Sequence, residues 1–158
     1  MITLSPGTLR VITLDQHFMY LTHSDLAGAE LSHADLSHAI LIGSNLQGAN
    51  LCDANLEGAD LSYSDLTAAC LCRANLSCAS LCTAEMTLGN LSGAVLKDAN
   101  LNGADLYGAD LRDANLTGAQ LCGADLEEAK LAGANLTRAI FDNTTRWPGD
   151  FMPHVRNQ

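Results

Sequence analysis

The sequence predicts an all-β solenoid, a coil of short extended segments and sharp corners stacked by parallel pairing. From Leu21 to Phe141 every fifth residue is large and apolar, and these 25 positions hold 23 Leu together with Met86 and Phe141. Two residues before each of the last 24 stands a small residue, 20 of them Ala, with Ser24, Ser44, Ser64 and Gly89 in the other places. Of eleven Gly inside this array, ten fall two residues after the large apolar position. Self-similarity at a fixed period is the mark of a repeat architecture.

A period of five fits neither the helical repeat of about 3.6 nor the flat-strand repeat of about 2. Within one unit, such as Ala99-Asn100-Leu101-Asn102-Gly103, Ala and Leu lie two apart, so both face inward on a short extended segment. The residue between them and the two after Leu face outward. A corner must then turn the chain once per unit, and the glycines mark it, because a type II turn requires φ > 0 at its third residue. All three prolines, Pro6, Pro148 and Pro153, lie outside the array, as expected where backbone N–H groups are used in ladders.

The flanking segments differ from the array. Residues 1–20 keep apolar content (Leu4, Leu9, Val11, Ile12, Leu14, Phe18, Met19, Tyr20) but lose the Ala–Leu pairing, and are read as an N-terminal cap. The repeat domain is placed at residues 21–143 and a C-terminal cap and tail at 144–158, with Trp147, the only tryptophan, folding over the last coil. A chain of 158 residues suits one domain. No basic leader or membrane-length apolar run is visible. Eighteen acids against eight bases, a formal charge of −10, disfavour direct binding to nucleic acid or an anionic membrane.

The tandem A(D/N)LxG units resemble the pentapeptide-repeat family, and the match spans about residues 21–143. The resemblance implies a right-handed quadrilateral parallel β-helix with four units on each square coil, so that residues 20 apart stack vertically. About six coils fit, a rod roughly 29 Å long at about 4.8 Å per stacked strand. The ending Thr145-Arg146-Trp147-Pro148 is similar to small cyanobacterial members of the family, a resemblance that implies a bacterial cytoplasm.

In that frame each outward position becomes a surface column. The candidate partner-binding column is Asp25, Asn45, Asp65, Glu85, Asp105 and Asp125, where like charges about 5 Å apart in water repel by roughly 0.8 kcal/mol per neighbouring pair. A partner or cation could offset that cost; the alternative is a family preference for Asp and Asn at this position. A second column, His33, Asp53, Arg73, Gly93, Asp113 and Gly133, suggests an exposed ion ladder in which Asp53 pairs with both vertical neighbours. Ser24, Ser44 and Ser64 are expected to point inward and bond to backbone carbonyls. Ile40, Ile42, Leu88, Val95 and Ile140 interrupt polar columns; either Ile40, Ile42 and Tyr20 lie under the N-terminal segment, or these positions form an apolar contact surface for a partner or a second copy.

The six cysteines are Cys52, Cys70, Cys72, Cys78, Cys82 and Cys122. Cys52 and Cys72 stack closely enough to bridge under oxidation, but reduced thiols are expected in a cytosolic protein. Spread over different faces, the cysteines are not expected to converge on a zinc ion, and neither are His23, His33 and His38. No metal, cofactor or catalytic residue is assigned. There is no phosphate loop, nucleophile elbow or pocket-forming insertion, so the chain reads as non-enzymatic. The expected function is an interaction module presenting flat faces to an unidentified protein, as a monomer or weak dimer. The family resemblance implies an alternative, an acidic DNA mimic that binds a DNA topoisomerase such as gyrase. Against that subgroup, the array holds Phe at its central position only at Phe141, has no loop insertion, and ends in a Pro-broken tail.

Overall fold

The computed structural model describes residues 19–149 and 151. Most of the expected N-terminal cap and the tail beyond Phe151 therefore lie outside the described residues. The chain forms parallel bridges that link each outward residue to the one 20 positions on, and these join into four ladders. One ladder runs from Tyr20 through Ile40, Asp60, Ser80, Asn100 and Gln120 to Ile140. The others begin at Asp25, Glu30 and Asp35. The walls are called here after their first inward leucines: Leu21, Leu26, Leu31 and Leu36.

One unit shows how the backbone is satisfied. Asn100 N–H donates to the Ala79 carbonyl in the preceding coil (2.9 Å), and Leu101 N–H to the Gln120 carbonyl in the next (2.8 Å). Gly103 N–H reaches the Cys122 carbonyl (2.9 Å), and Ala104 N–H closes the corner on the Leu101 carbonyl (3.1 Å). This leaves the N–H of the residue after Leu without a backbone acceptor, and buried or half-buried donors require one. The Asn100 side chain supplies it: Oδ1 accepts from Asn102 N–H at 3.1 Å. All fifteen Asp and Asn at this position of the array make the same bond. The preference for Asp or Asn is thus a local Asx turn, the side chain mimicking a missing backbone acceptor. Asn100→Ala is expected to lower stability by about 1 kcal/mol, on the scale of a lost helix cap, whereas Asn100→Asp is not. Urea midpoints of the two variants check this.

All 24 corner residues from His23 to Arg138 have positive φ, between 53° and 76°, although only ten are Gly. The ladders impose this conformation on Leu88 and Thr83 despite a cost of roughly 1–2 kcal/mol per non-Gly residue. Glycine is required more strictly where a side chain from the coil below folds across the corner. A Cβ on Gly43 would stand 2.6 Å from Nδ1 of His23.

Leu and Ala fill the interior, and from Leu41 to Leu126 the array leucines are fully buried. Small Ala lets the walls approach around them. Ser44 and Ser64 take the Ala position and donate to the carbonyls of Leu41 and Leu61, both at 2.7 Å, as anticipated for an inward hydroxyl. At the C-terminal end the register slips by one residue. Asp125 bridges Arg146 rather than residue 145, because the unit after Phe141 is six residues long. Thr145 thereby occupies an Ala-like place, donating to the Leu121 carbonyl at 2.8 Å, and Trp147 takes the place of the next leucine. Trp147 meets Phe141 edge-on, with centroids 5.2 Å apart, and stacks on Phe151 at 5.4 Å. Asp142 holds the lengthened corner by accepting from the Thr144 hydroxyl and N–H, at 2.6 and 3.0 Å. Those bonds keep its carboxyl below the usual range, so its contribution is present at neutral pH and lost as pH falls through that lowered value. Among the described residues no helix is long and apolar enough to cross a membrane.

Candidate functional site

Asp25, Asn45, Asp65, Glu85, Asp105 and Asp125 form one continuous parallel ladder on the Leu26 wall. Each Asp turns Oδ1 toward the N–H two residues on, as Asp105 does to Tyr107 at 2.9 Å, and so leaves Oδ2 facing outward. Asn performs this turn equally well, so the turn does not explain why charged residues gather here. Following the register through the whole wall, Glu127 and Glu128 join the five acids of the column, and the array places no Lys, Arg or His on it. The Leu21 wall carries only Asp60 and Asp142 and no Lys or Arg, and the other two walls mix signs. Arg73, Arg112 and Lys130 lie on the Leu31 wall, and Lys97 and Arg138 on the Leu36 wall. Most of the formal charge of −10 is therefore displayed in one direction.

Two neighbours soften the repulsion within the ladder. Asn45 Nδ2 donates to Asp25 Oδ1 at 3.1 Å, and Gln47 Nε2 donates to Asp65 Oδ2. At Asp65 partial burial raises the carboxyl's pKa, but the bonds from Gln47 and Thr67 outweigh it and hold the group below its ordinary value. At the last rung, Arg146 bonds Asp125 Oδ2 and Glu127 Oε2, each at 2.6 Å. Sequence reading did not place Arg146 on this column, because the six-residue unit moves it there. Beside Glu85 and Asp105 the same wall exposes Leu88 (63%) and Tyr107 (43%). Tyr107 was missed as well, although its place two residues after Asp105 assigns it to the same wall.

The second candidate column is an ion pair rather than a ladder. Arg73 grips Asp53 with Nε at 2.8 Å and Nη2 at 2.6 Å, and this bidentate bond lowers the carboxyl's pKa. His33 makes no ion pair with Asp53 among the described residues and acts on it only through its charge, so the expectation of two vertical partners is corrected. The rigid fork of Arg73 uses both carboxylate oxygens. Ile40 and Ile42 are half-buried, while Ile140 is exposed.

The cysteines require a larger correction. Cys52 is joined to Cys70 as a disulfide, with Cα atoms 5.7 Å apart, rather than remaining reduced or pairing with Cys72. Cys70 and Cys72 flank inward Leu71 and emerge on the same wall, so the diagonal approach from Cys52 is as short as the vertical one. Cys72 Sγ lies 2.7 Å from Cys52 Sγ and 3.7 Å from Cys70 Sγ. The three sulfur atoms lie within 4.8 Å of one another, whereas Cys78, Cys82 and Cys122 stand on other walls.

The family model described as pentapeptide repeats matches in eight copies, over residues 20–51, 39–77, 90–127 and 123–145. The chain is similar to a pentapeptide repeat protein of the Arabidopsis thaliana thylakoid lumen, with 33% identity, TM-score 0.59, and 61% of this chain and 67% of that one covered. It is also similar to HetL of the cyanobacterium Nostoc sp. strain PCC 7120, a pentapeptide repeat protein involved in heterocyst differentiation regulation (30% identity, TM-score 0.40, 77% and 73% covered). QnrB1, a plasmid-mediated fluoroquinolone resistance protein, is similar in fold at 19% identity and TM-score 0.51, with 77% of this chain and 79% of that one covered. No curated protein matches.

Proposed function

The chain belongs to the pentapeptide-repeat family, and from that premise we propose that it is a non-enzymatic protein–protein interaction module whose acidic Leu26 wall docks on a basic surface of a protein partner. In this reading the described array belongs to a right-handed quadrilateral β-helix of about six coils, capped at both ends, that acts in the cytoplasm as a monomer or weak dimer. The observation that carries the proposal is the one-sided charge: five acids of the column with Glu127 and Glu128, no basic residue of the array beside them, and Arg146 compensating only the last rung. The Asx turn accounts for the position but leaves the choice of Asp over Asn to something else, and a partner of opposite charge supplies that reason. Leu88 and Tyr107 offer apolar contact beside the charges, the combination that anchors many interfaces.

The alternative reading is a DNA mimic, in which the acidic ladder stands in for a phosphate backbone and the partner is a topoisomerase such as gyrase. The same wall favours it. The likeness to QnrB1 shows a shared fold and adds nothing to the choice of partner.

The test uses a triple variant, Asp65→Asn, Glu85→Gln and Asp105→Asn. The two Asn side chains keep the Oδ1 acceptor of the turn, so charge is removed without breaking the corner. Melting is expected to be unchanged or slightly raised, since repulsion of roughly 0.8 kcal/mol per neighbouring pair is relieved. Wild-type bait should retain a partner from host lysate in a salt-sensitive manner, and the variant should lose it. Retention by both would move the interface to another wall. Inhibition of gyrase supercoiling by wild type alone would put the mimic first.

A further inference from the structure

We propose that Cys52, Cys70 and Cys72, once reduced, form a three-thiolate site for monovalent copper on the Leu31 wall. The backbone sets the three sulfurs together before any ligand arrives. Cys70 is bridged to Asn50 below and Asn90 above, and Cys52 N–H is held by Asn50 Oδ1 at 3.2 Å. Metal–thiolate bonds of about 2.3 Å in a trigonal plane place the sulfurs about 4 Å apart. Cys70 and Cys72 already lie at 3.7 Å, so the site is reached by turning Cys52 away from them.

The donor set selects the metal. Three soft thiolates suit Cu(I), whereas structural zinc takes four ligands, and the remaining cysteines stand on other walls. The nearest carboxylate on this wall, Asp53, is engaged by both arms of Arg73. The surroundings also suit a negatively charged complex. Asn90 Nδ2 points at Cys70 Sγ from 3.9 Å, and the next residue after Cys72 is Arg73, whose guanidinium is held by Asp53. All three cysteines are half-buried, which screens them from bulk water while leaving a path for exchange.

Loading begins with a dithiol reductant. It supplies two electrons and two protons, opens the Cys52–Cys70 bond to two thiols, and leaves as its own disulfide. Three thiol protons are then released, three thiolates bind, and the copper stays at +1 throughout. Disulfide and metal are therefore alternative occupants of one site.

The experiment takes the full chain, reduced anaerobically with a dithiol and desalted, and titrates it with Cu(I) buffered by a chromophoric Cu(I) chelator. One equivalent per chain is expected, with sulfur-to-copper charge-transfer absorption. Cys52→Ser, Cys70→Ser and Cys72→Ser should each lower affinity by at least the roughly 10- to 100-fold that loss of an outer-sphere partner costs, with the metal-free melting temperature unchanged. Cys78→Ser and Cys122→Ser should bind like wild type. Absence of binding by the reduced protein overturns the proposal, even if thiol–disulfide exchange is observed. So does affinity that survives in the Cys52, Cys70 and Cys72 variants, or copper held only between two chains and lost on dilution.

Discussion

Leu76→Lys and Leu101→Lys are each expected to abolish cooperative folding of the array. Both side chains are fully buried, with coils stacked above and below them and walls on every side. A lysine on an ordinary helix surface can extend its stem and keep its ammonium in water. Inside this tube no such route exists, and an unpaired buried charge costs several kcal/mol, comparable with the roughly 5–15 kcal/mol by which whole domains are stable. Leu136, only partly buried at the C-terminal end, provides the internal control. Leu136→Lys should cost far less, because the ammonium reaches solvent past the last coil. The measurement is far-UV circular dichroism through a urea titration. Wild-type midpoints for Leu76→Lys and Leu101→Lys would show that the array leucines do not carry the fold.

Trp147→Ala is expected to have the next largest effect, and a different kind of effect. Truncating a buried aromatic costs about 3–5 kcal/mol, and a partly buried one proportionately less. Trp147 packs against the terminal coil between Phe141 and Phe151. Its neighbour Arg146 completes the last rung, donating its N–H to the Ala124 carbonyl and accepting from Leu126 N–H at 2.7 Å. Each coil contacts only its neighbours, so the damage should stay local and propagate by fraying. Hydrogen exchange should then show loss of protection in residues 121–146 and near-native protection around Leu76. An uncovered terminal coil also presents unpaired backbone groups to other chains, so end-to-end association should rise and be visible by light scattering. Unchanged exchange and mass would mean that Trp147 does not hold this end.

The acidic column shows how far the sequence could be read. Its members were identifiable by counting in steps of 20, because a coil with four equal corners returns to the same wall. The reason that Asp and Asn recur there was not visible until the hydrogen bonds of one unit were followed. Only then does the N–H after each leucine stand out as the donor without a backbone acceptor. Arg146 and the six-residue unit before it escaped the count, since a single inserted residue shifts every later position. The cysteines escaped for another reason. Vertical stacking suggests Cys52 with Cys72, but side chains flanking one inward leucine lean toward a common neighbour, and the diagonal contact to Cys70 closes instead.

Residue spacing alone specifies the inside of this protein and its corners. Ala and Leu two apart on an extended segment, with a residue able to take φ > 0 after them, specify a short-range geometry that repeats without reference to anything distant. The outside depends on how the coils stack. Which charges share a wall, which carboxylate meets Arg73 or Arg146, and which thiols converge all depend on residues about 20 apart coming within a few ångströms. Those contacts are set by the stacking of coils and by side-chain direction. A local pattern of small and large residues does not encode either one.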